Sequence, residues 1–286
     1  MLYKAQNLCY SSLMKTEIVD FKHQTENFIF QVKETEATGE TNFKKHIHPC
    51  YEIMYFDGEE VGFTVEDRQY VMKKGDVLLI KPAQYHFCNR IHSSPYRRYC
   101  MIFTTEMSGV EGLVEKIFSK GEKLTLGANS LFLNLVLSLY EKLKNSTKHD
   151  VEFCRSMLTA ILIALEDANP TAENKKPSKL TNYQKIINYI NTHVNSINSV
   201  EDISAALFFS KSYIMHLFKS ELQIGVMQYV RNKKLLLAHI EISKGRKPTA
   251  VYHECGFSNY PTFYRAYTAY FGFSPKNKNI LIKEQI

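Results

Sequence analysis

The residues best suited to chemistry are three histidines and one glutamate in the first third of the chain. His46 and His48 are one residue apart, Glu52 follows four residues later, and His86 lies beyond a run of turn residues. Because side chains alternate along a strand, His46 and His48 would face one side of a sheet. Imidazoles and a carboxylate can bind Zn, Mn, Fe or Ni, and they can also hydrogen-bond a polar organic molecule. The four residues predict a binding site and leave its occupant open.

Short apolar or alternating runs surround these residues between positions 28 and 103. Turn signals, such as Asp57-Gly58 and Lys81-Pro82, separate the runs. Many short strands without a helical period predict a β-sandwich or a small barrel. Strands are expected at 52–56, 62–65, 69–72, 77–80 and 99–103.

The spacing His-x-His-x3-Glu with a later histidine resembles the cupin barrel. In enzymatic cupins the four matching side chains bind a divalent metal, but this chain has Gln84 where a glycine is usual. We therefore expect an organic ligand and no cofactor; a metal, if one binds, would use the same four residues. Tyr55 and Arg90 are near in sequence and suit a polyhydroxylated ligand, although strand aromatics more often belong to a core. The expected ligand-binding residues are His46, His48, Glu52, His86, Tyr55 and Arg90.

After position 108 the pattern becomes helical. The runs 130–144 and 151–167 are strongly apolar, and the first is apolar nearly all round. Such a helix must be covered either by its own domain or by a second subunit, and we expect dimerisation through this segment. Residues 169–180 are polar, contain two prolines and have no periodicity, which predicts a linker.

The segment from Ser199 to Pro275 contains one helical design twice. Each copy has a short helix, a tight turn, a capping serine and a second helix with one apolar face. This is a helix-turn-helix layout, whose second helix can lie in a DNA major groove. Two copies joined by one helix, from Gly225 to about Ser243, predict a protein that reads two successive groove segments.

The same region, from about 182 to 278, resembles the DNA-binding domain of the AraC/XylS family of bacterial transcription regulators. The resemblance is carried by Leu217-Phe218-Lys219, Gly256-Phe257-Ser258, Phe263-x-Arg265 and Phe271-Gly272-x-Ser274-Pro275. It implies a regulator, expected to be an activator, that binds double-stranded DNA and acts with RNA polymerase. It also implies a homodimer whose N-terminal domain holds a small-molecule effector, commonly a sugar.

The helix pattern predicts which side chains reach DNA. Ser210 and Ser258 are the expected N-caps of the two recognition helices. Tyr213 or Ile214 would face inward with Leu217 and Phe218 in the first helix, as would Phe263, Ala266 and Tyr267 in the second. Phe208 stands where the family has a turn glycine, so we expect a rearranged turn there. The predicted DNA contacts are Lys211, Ser212, Met215, His216, Lys219, Asn259, Tyr260, Thr262 and Arg265.

The charge distribution agrees with this interpretation. Residues 181–286 contain 13 Lys and Arg against six Asp and Glu, whereas residues 1–170 contain 20 against 22. A basic C-terminal third is typical of a domain that binds phosphates. No apolar run is long enough to span a membrane, and the six scattered cysteines indicate reduced thiols in a cytoplasmic protein.

These observations predict an α+β protein that is not an enzyme. Its expected domains are a cupin-like sensing domain (1–107), a helical dimerisation segment (108–168), a linker (169–180) and an all-α double helix-turn-helix domain (181–286). Two alternatives stay open: a metal-dependent cupin enzyme with a DNA-binding tail, and a ligand-independent regulator whose barrel is only a scaffold.

Overall fold

A computed structural model describes residues 18–35, 45–89, 96–108, 111–126, 131–145, 148–171 and 179–277. The chain divides into two compact units. The first contains all the described strands and the helices that follow them, and the second contains the C-terminal helices. Within the described residues, none of the helices combines the length and the apolar character that crossing a membrane requires.

The first unit is built on two antiparallel sheets. The described strands are β1 (Ile18–Gln24), β2 (Phe28–Thr35), β3 (Tyr51–Gly58), β4 (Val61–Val65), β5 (Arg68–Met72), β6 (Asp76–Ile80), β7 (His86–Asn89), β8 (Tyr96–Phe103), β9 (Lys123–Thr125) and β10 (Asn169–Pro170). Seven of these strands form the larger sheet in the order β1-β2-β8-β3-β6-β9-β10, and three form the smaller in the order β5-β4-β7. All five predicted strands are present, and the structure adds β1, β2, β7, β9 and β10.

The two faces of the central strand β3 enter different cores. Ile53 and Tyr55 pack with residues of the helices, whereas Met54 and Phe56 pack with residues of β4, β5 and β7. This division follows from the two-residue period of a strand. Glu52 has the parity of Met54 and Phe56, so its side chain points to the side of the smaller sheet.

Four helices of the described residues cover the other face of the larger sheet: α1 (Thr105–Ser108), α2 (Glu111–Phe118), α3 (Leu131–Leu143) and α4 (Asp150–Ala164). The two predicted helical runs are confirmed. In α3 the buried residues Phe132, Val136, Leu139 and Leu143 form a stripe with helical spacing. The intramolecular core therefore covers one face of α3, although its sequence is apolar nearly all round.

The predicted linker lies mostly outside the described residues, and its first two residues are not linker. Asn169 and Pro170 form β10, which pairs with Thr125 and Leu124 of β9. The ladder extends the first unit beyond the boundary expected at position 168.

The second unit consists of six described helices: α5 (Asn182–His193), α6 (Val200–Leu207), α7 (Lys211–Leu222), α8 (Val226–Ser243), α9 (Pro248–Glu254) and α10 (Tyr260–Phe271). α6 and α7 form the first helix-turn-helix, and α9 and α10 form the second. α8 joins them and is buried along most of its length. Both copies and the joining helix begin and end close to the positions that the sequence predicts.

Candidate functional sites: a buried histidine cluster and two recognition helices

The structure brings His46, His48, Glu52 and His86 together. One ligand atom from each lies within 4.8 Å of every other, and three of the four residues are buried. The Nε2 atom of His86 lies 3.1 Å from a Glu52 carboxylate oxygen. His46 and His48 do not belong to a regular strand, because β3 begins only at Tyr51. The expectation that strand alternation aligns them is therefore wrong; an irregular segment that leads into β3 places them beside Glu52.

This arrangement can bind a divalent cation or a polar molecule. Atoms about 2.1 Å from one ion are at most about 4.2 Å apart, so the observed spacing needs only small side-chain movements to fit a metal. Burial, aided by the charge of Glu52, raises the pKa of the adjacent Cys50 thiol to about 12.

Two other predicted ligand residues are not part of the cluster as described. Tyr55 is 2% exposed and its ring contacts Tyr99 and Phe132 in the helix-covered core. It lies on the face of β3 opposite Glu52, so its assignment to the site is wrong. Arg90 lies outside the described residues.

The first helix-turn-helix presents an exposed recognition helix. Ser210 caps α7 as predicted, accepting a hydrogen bond from the Tyr213 backbone N–H at 3.2 Å. Ile214 and Phe218 are fully buried, whereas Tyr213 is 41% exposed, so Ile214 occupies the inward position. All five residues predicted to contact DNA from this helix are exposed: Lys211, Ser212, Met215, His216 and Lys219.

Both lysines of this surface have protein partners. The Lys211 ammonium group lies 2.6 Å from a Glu201 carboxylate oxygen, and this contact lowers the pKa of Glu201. The Lys219 ammonium group donates to the Gln223 carbonyl at 2.9 Å, at the end of α7. Both pairs are exposed, so a phosphate can replace these partners at little cost.

The second recognition helix differs from the prediction at its start. Asn259, not Ser258, is the N-cap of α10, and its side-chain oxygen accepts from the Thr262 backbone N–H at 2.9 Å. Bidentate recognition of adenine uses the same oxygen, so a base contact by Asn259 would have to share that oxygen with the cap. Thr262 and Arg265 are exposed as expected, and Tyr260 is half-buried.

Sequence reasoning missed two exposed aromatic side chains beside these helices. Tyr264 on α10 is 40% exposed, and Phe208 in the turn before α7 is 93% exposed. The exposure of Tyr264 could have been predicted from the sequence, because this residue lies next to Arg265 on the outer face of the helix. Phe208 was recognised as unusual, but the expected rearrangement of its turn is wrong: the residue adopts the left-handed conformation at φ 57°.

A buried lysine connects the second copy to the segment before the first. The Lys234 ammonium group donates to the Ile197 carbonyl at 2.7 Å and to the Gly256 carbonyl at 3.1 Å. Burial lowers the pKa of Lys234, and the charge of Asp202 opposes this effect. Gly256 has φ +74°, and a Cβ built on it would lie 2.0 Å from the Asn195 carbonyl oxygen. These contacts of Lys234, which form a brace between the two segments, therefore require glycine at position 256.

Comparisons with known proteins identify two domains along the chain. Residues 35–158 match the model of an AraC-like ligand binding domain, and residues 203–278 match the model of a helix-turn-helix domain. The probable transcriptional regulator LumQ of Photobacterium leiognathi is 36% identical over 112 residues, which span 39% of this chain and 45% of LumQ. The uncharacterized HTH-type transcriptional regulator YbfI of Bacillus subtilis is 19% identical over 76% of this chain and 80% of its own.

Some solved structures align with much of the chain, at low identity and low TM-score. ToxT from Vibrio cholerae aligns over 91% of this chain and 100% of its own, with 10% identity and a TM-score of 0.37. The AraC-like transcriptional activator CuxR aligns over 76% and 79%, with 16% identity and a TM-score of 0.34.

The two domain matches, in this order along one chain, define a transcription regulator with a ligand-binding domain and a helix-turn-helix DNA-binding domain. The chain belongs to the AraC family of transcription regulators.

Proposed function

We propose that this protein activates transcription by binding two successive major-groove segments of an operator, under the control of a small molecule held by its N-terminal domain. The observation that carries the proposal is the pair of capped recognition helices, each with a buried inner stripe and an exposed outer face. The joining helix α8 has 18 residues, hence a length of ~27 Å. That length is compatible with sites one helical turn apart, about 34 Å.

Base contacts and phosphate contacts are divided between the ends of α7. Lys211, Ser212, Met215 and His216 lie in its first two turns, which enter the groove in helix-turn-helix proteins. Lys219 lies in the last turn, where its ammonium group suits a phosphate. Thr262 and Arg265 take the corresponding role in the second segment.

The experiment that tests DNA binding is selection of duplexes from a random library by the full-length protein, followed by footprinting at graded salt. We expect two protected segments on one face of the duplex, about 10 bp apart. Protection of a single segment per protomer would contradict the two-segment arrangement, and failure to enrich any sequence would contradict the proposed function.

The proposed effector is a polar organic molecule, and a carbohydrate suits the site best. His46, His48, Glu52 and His86 combine hydrogen-bond donors with a carboxylate acceptor, which together match neighbouring hydroxyl groups. A ligand that binds the folded state raises its stability by about 2.7 kcal/mol at a hundredfold excess over Kd. A thermal-shift screen with sugars therefore tests this proposal, with His86→Gln as the control that removes one member of the cluster.

A divalent metal ion is a second candidate for the same site, favoured by the convergence of four ligand atoms within 4.8 Å. In that case the ion would itself be the signal or would help to bind the effector. Elemental analysis of the dialysed protein separates the candidates. About one Zn, Mn, Fe or Ni per chain, lost in His86→Gln, would support the metal and contradict a purely organic ligand.

We further propose that α3 and α4 form a homodimer interface. Leu131 on α3 and Ile163 on α4 are 62% and 52% exposed, and Leu137 and Val151 are 38% and 44% exposed. Burial of such side chains against a second copy would be favourable at about 25 cal/mol per Å² of apolar surface. A homodimer would place two double helix-turn-helix domains on one promoter. The DNA-bound protein would contact RNA polymerase there.

A further inference from the structure

Phe208 is both strained and exposed. It ends α6 with φ 57° and ψ 31°, in the left-handed region, and it is 93% exposed to solvent. A bulky residue is a clear outlier in that region, because its Cβ crowds the following carbonyl oxygen. An exposed phenyl ring also gains nothing from burial. Neither property of this side chain therefore helps the domain to fold.

The second helix-turn-helix of the same chain shows how the turn is made without strain. Gly256, the left-handed residue after α9, corresponds to Phe208 after α6. Two residues, Phe257 and Ser258, separate it from the N-cap Asn259, whereas Phe209 alone separates Phe208 from the N-cap Ser210. Gly256 takes the left-handed conformation at φ +74°, and Phe257 is buried. The first copy thus carries a phenylalanine where the second uses glycine for the same backbone conformation.

The rest of the first turn fixes that conformation. The Ser204 hydroxyl donates to the Phe209 carbonyl at 2.6 Å, and the ring of Phe209 contacts that of Tyr213 at 5.5 Å between centroids. Ser210 caps the following helix. With the backbone held on both sides of it, Phe208 presents its ring outward beside the N-terminus of α7.

We propose that Phe208 is a specificity-determining DNA contact, whose ring packs against a thymine methyl group at the edge of the first major-groove segment. This inference rests on the proposed function. In a helix-turn-helix the first helix crosses the backbone and the N-terminus of the second enters the groove, so the turn between them lies over the groove edge. Apolar side chains recognise thymine through its methyl group, and this contact gives the exposed ring a partner in the complex.

The test compares full-length Phe208→Gly with the wild type on a duplex that the wild type selects from a random library. Glycine removes the strain, so the melting temperature of the helical unit should rise by about 4–8 °C. The Kd for the selected duplex should nevertheless increase about fivefold to thirtyfold, because the apolar contact is lost. The slope of log K against log salt should not change, since no charge is removed.

Gln223→Gly is the matched control. Gln223 also has a positive φ, 62°, but it lies at the opposite end of α7. The Gln223 side chain also donates to the Ser220 carbonyl at 3.0 Å, so this variant should raise the melting temperature by less than Phe208→Gly does, while the Kd stays that of the wild type. Replacing a thymine by deoxyuridine removes its methyl group. When each thymine of the duplex is replaced in turn, one replacement should lower the DNA affinity of the wild type but not that of Phe208→Gly.

Four results would overturn the inference. If the wild type enriches no sequence, the proposed function fails together with it. If the wild type binds and Phe208→Gly binds equally tightly, or if no thymine distinguishes the two proteins, only the contact is refuted. Unchanged DNA affinity with lost activation in a transcription assay would assign Phe208 to a protein partner instead.

Discussion

Replacing Gly256 by alanine should destabilise the helical unit by more than the strain of alanine in a left-handed backbone conformation. The backbone angle, φ +74°, costs alanine about 1–2 kcal/mol. The new Cβ would also lie 2.0 Å from the Asn195 carbonyl oxygen and 2.7 Å from the Lys234 ammonium nitrogen. Relieving these overlaps displaces the Lys234 ammonium group or the backbone at Gly256, which weakens at least one of the two hydrogen bonds of Lys234; a hydrogen bond to a charged group contributes about 1.5–3 kcal/mol. The expected loss of unfolding free energy is therefore roughly 2.5–5 kcal/mol.

Gly272 provides the matched control for this prediction. It has φ +79°, and a Cβ at that position meets no atom within 4 Å. Gly272→Ala should therefore cost only the conformational part, about 1–2 kcal/mol. The measurement is urea unfolding of both full-length variants, followed by the helical circular dichroism signal. Equal free energies of unfolding for the two variants would refute the argument, because they would mean that the Asn195 and Lys234 contacts add nothing at Gly256.

Three further predictions concern binding and assembly. His216→Ala should lose roughly 1–3 kcal/mol of binding free energy and relax base preference at one or two positions. Lys219→Ala should lower the affinity for all sequences alike and flatten the slope of log K against log salt by about one. Sequence selection at several salt concentrations would measure both effects, and an unchanged base preference in His216→Ala would contradict its role. Leu137→Glu should give a folded monomer by light scattering, whereas Leu139→Glu should unfold the first unit, because Leu139 is fully buried; a dimeric Leu137→Glu protein would place the interface elsewhere. His86→Gln should abolish stabilisation by any effector or metal that stabilises the wild type, and an undiminished thermal shift would exclude the cluster as its site.

The helical half of the molecule was readily predicted from its sequence. The positions of α7, α8 and α10 follow from local signals: apolar residues at helical spacing, capping residues, and glycine where a turn needs a positive φ. Of the inward residues expected in α7, Ile214 and Phe218 are buried, whereas Leu217 is half-buried. The structure adds Leu222 to the buried stripe. Local errors occurred where two neighbouring residues can serve as a cap, as with Ser258 and Asn259, because either side chain can accept the same backbone hydrogen bond.

The residues of the histidine cluster were predictable from the sequence, but their geometry was not. His46, His48, Glu52 and His86 were selected by residue type and spacing, and their convergence within 4.8 Å comes from an irregular segment and two strands in different sheets. Tyr55 was wrongly included because nearness in sequence does not say which face of β3 a side chain occupies.

The sequence by itself determined the double helix-turn-helix and its outer faces, since these depend on periodicity and caps within a dozen residues. Only the tertiary structure decided which side of α3 is covered, that Lys234 and Gly256 form a brace, and that Phe208 keeps a left-handed turn with its ring in solvent. Each of these depends on atoms that are distant in the chain or on a backbone conformation imposed from both sides. Local propensity opposes such arrangements, and packing overrides it.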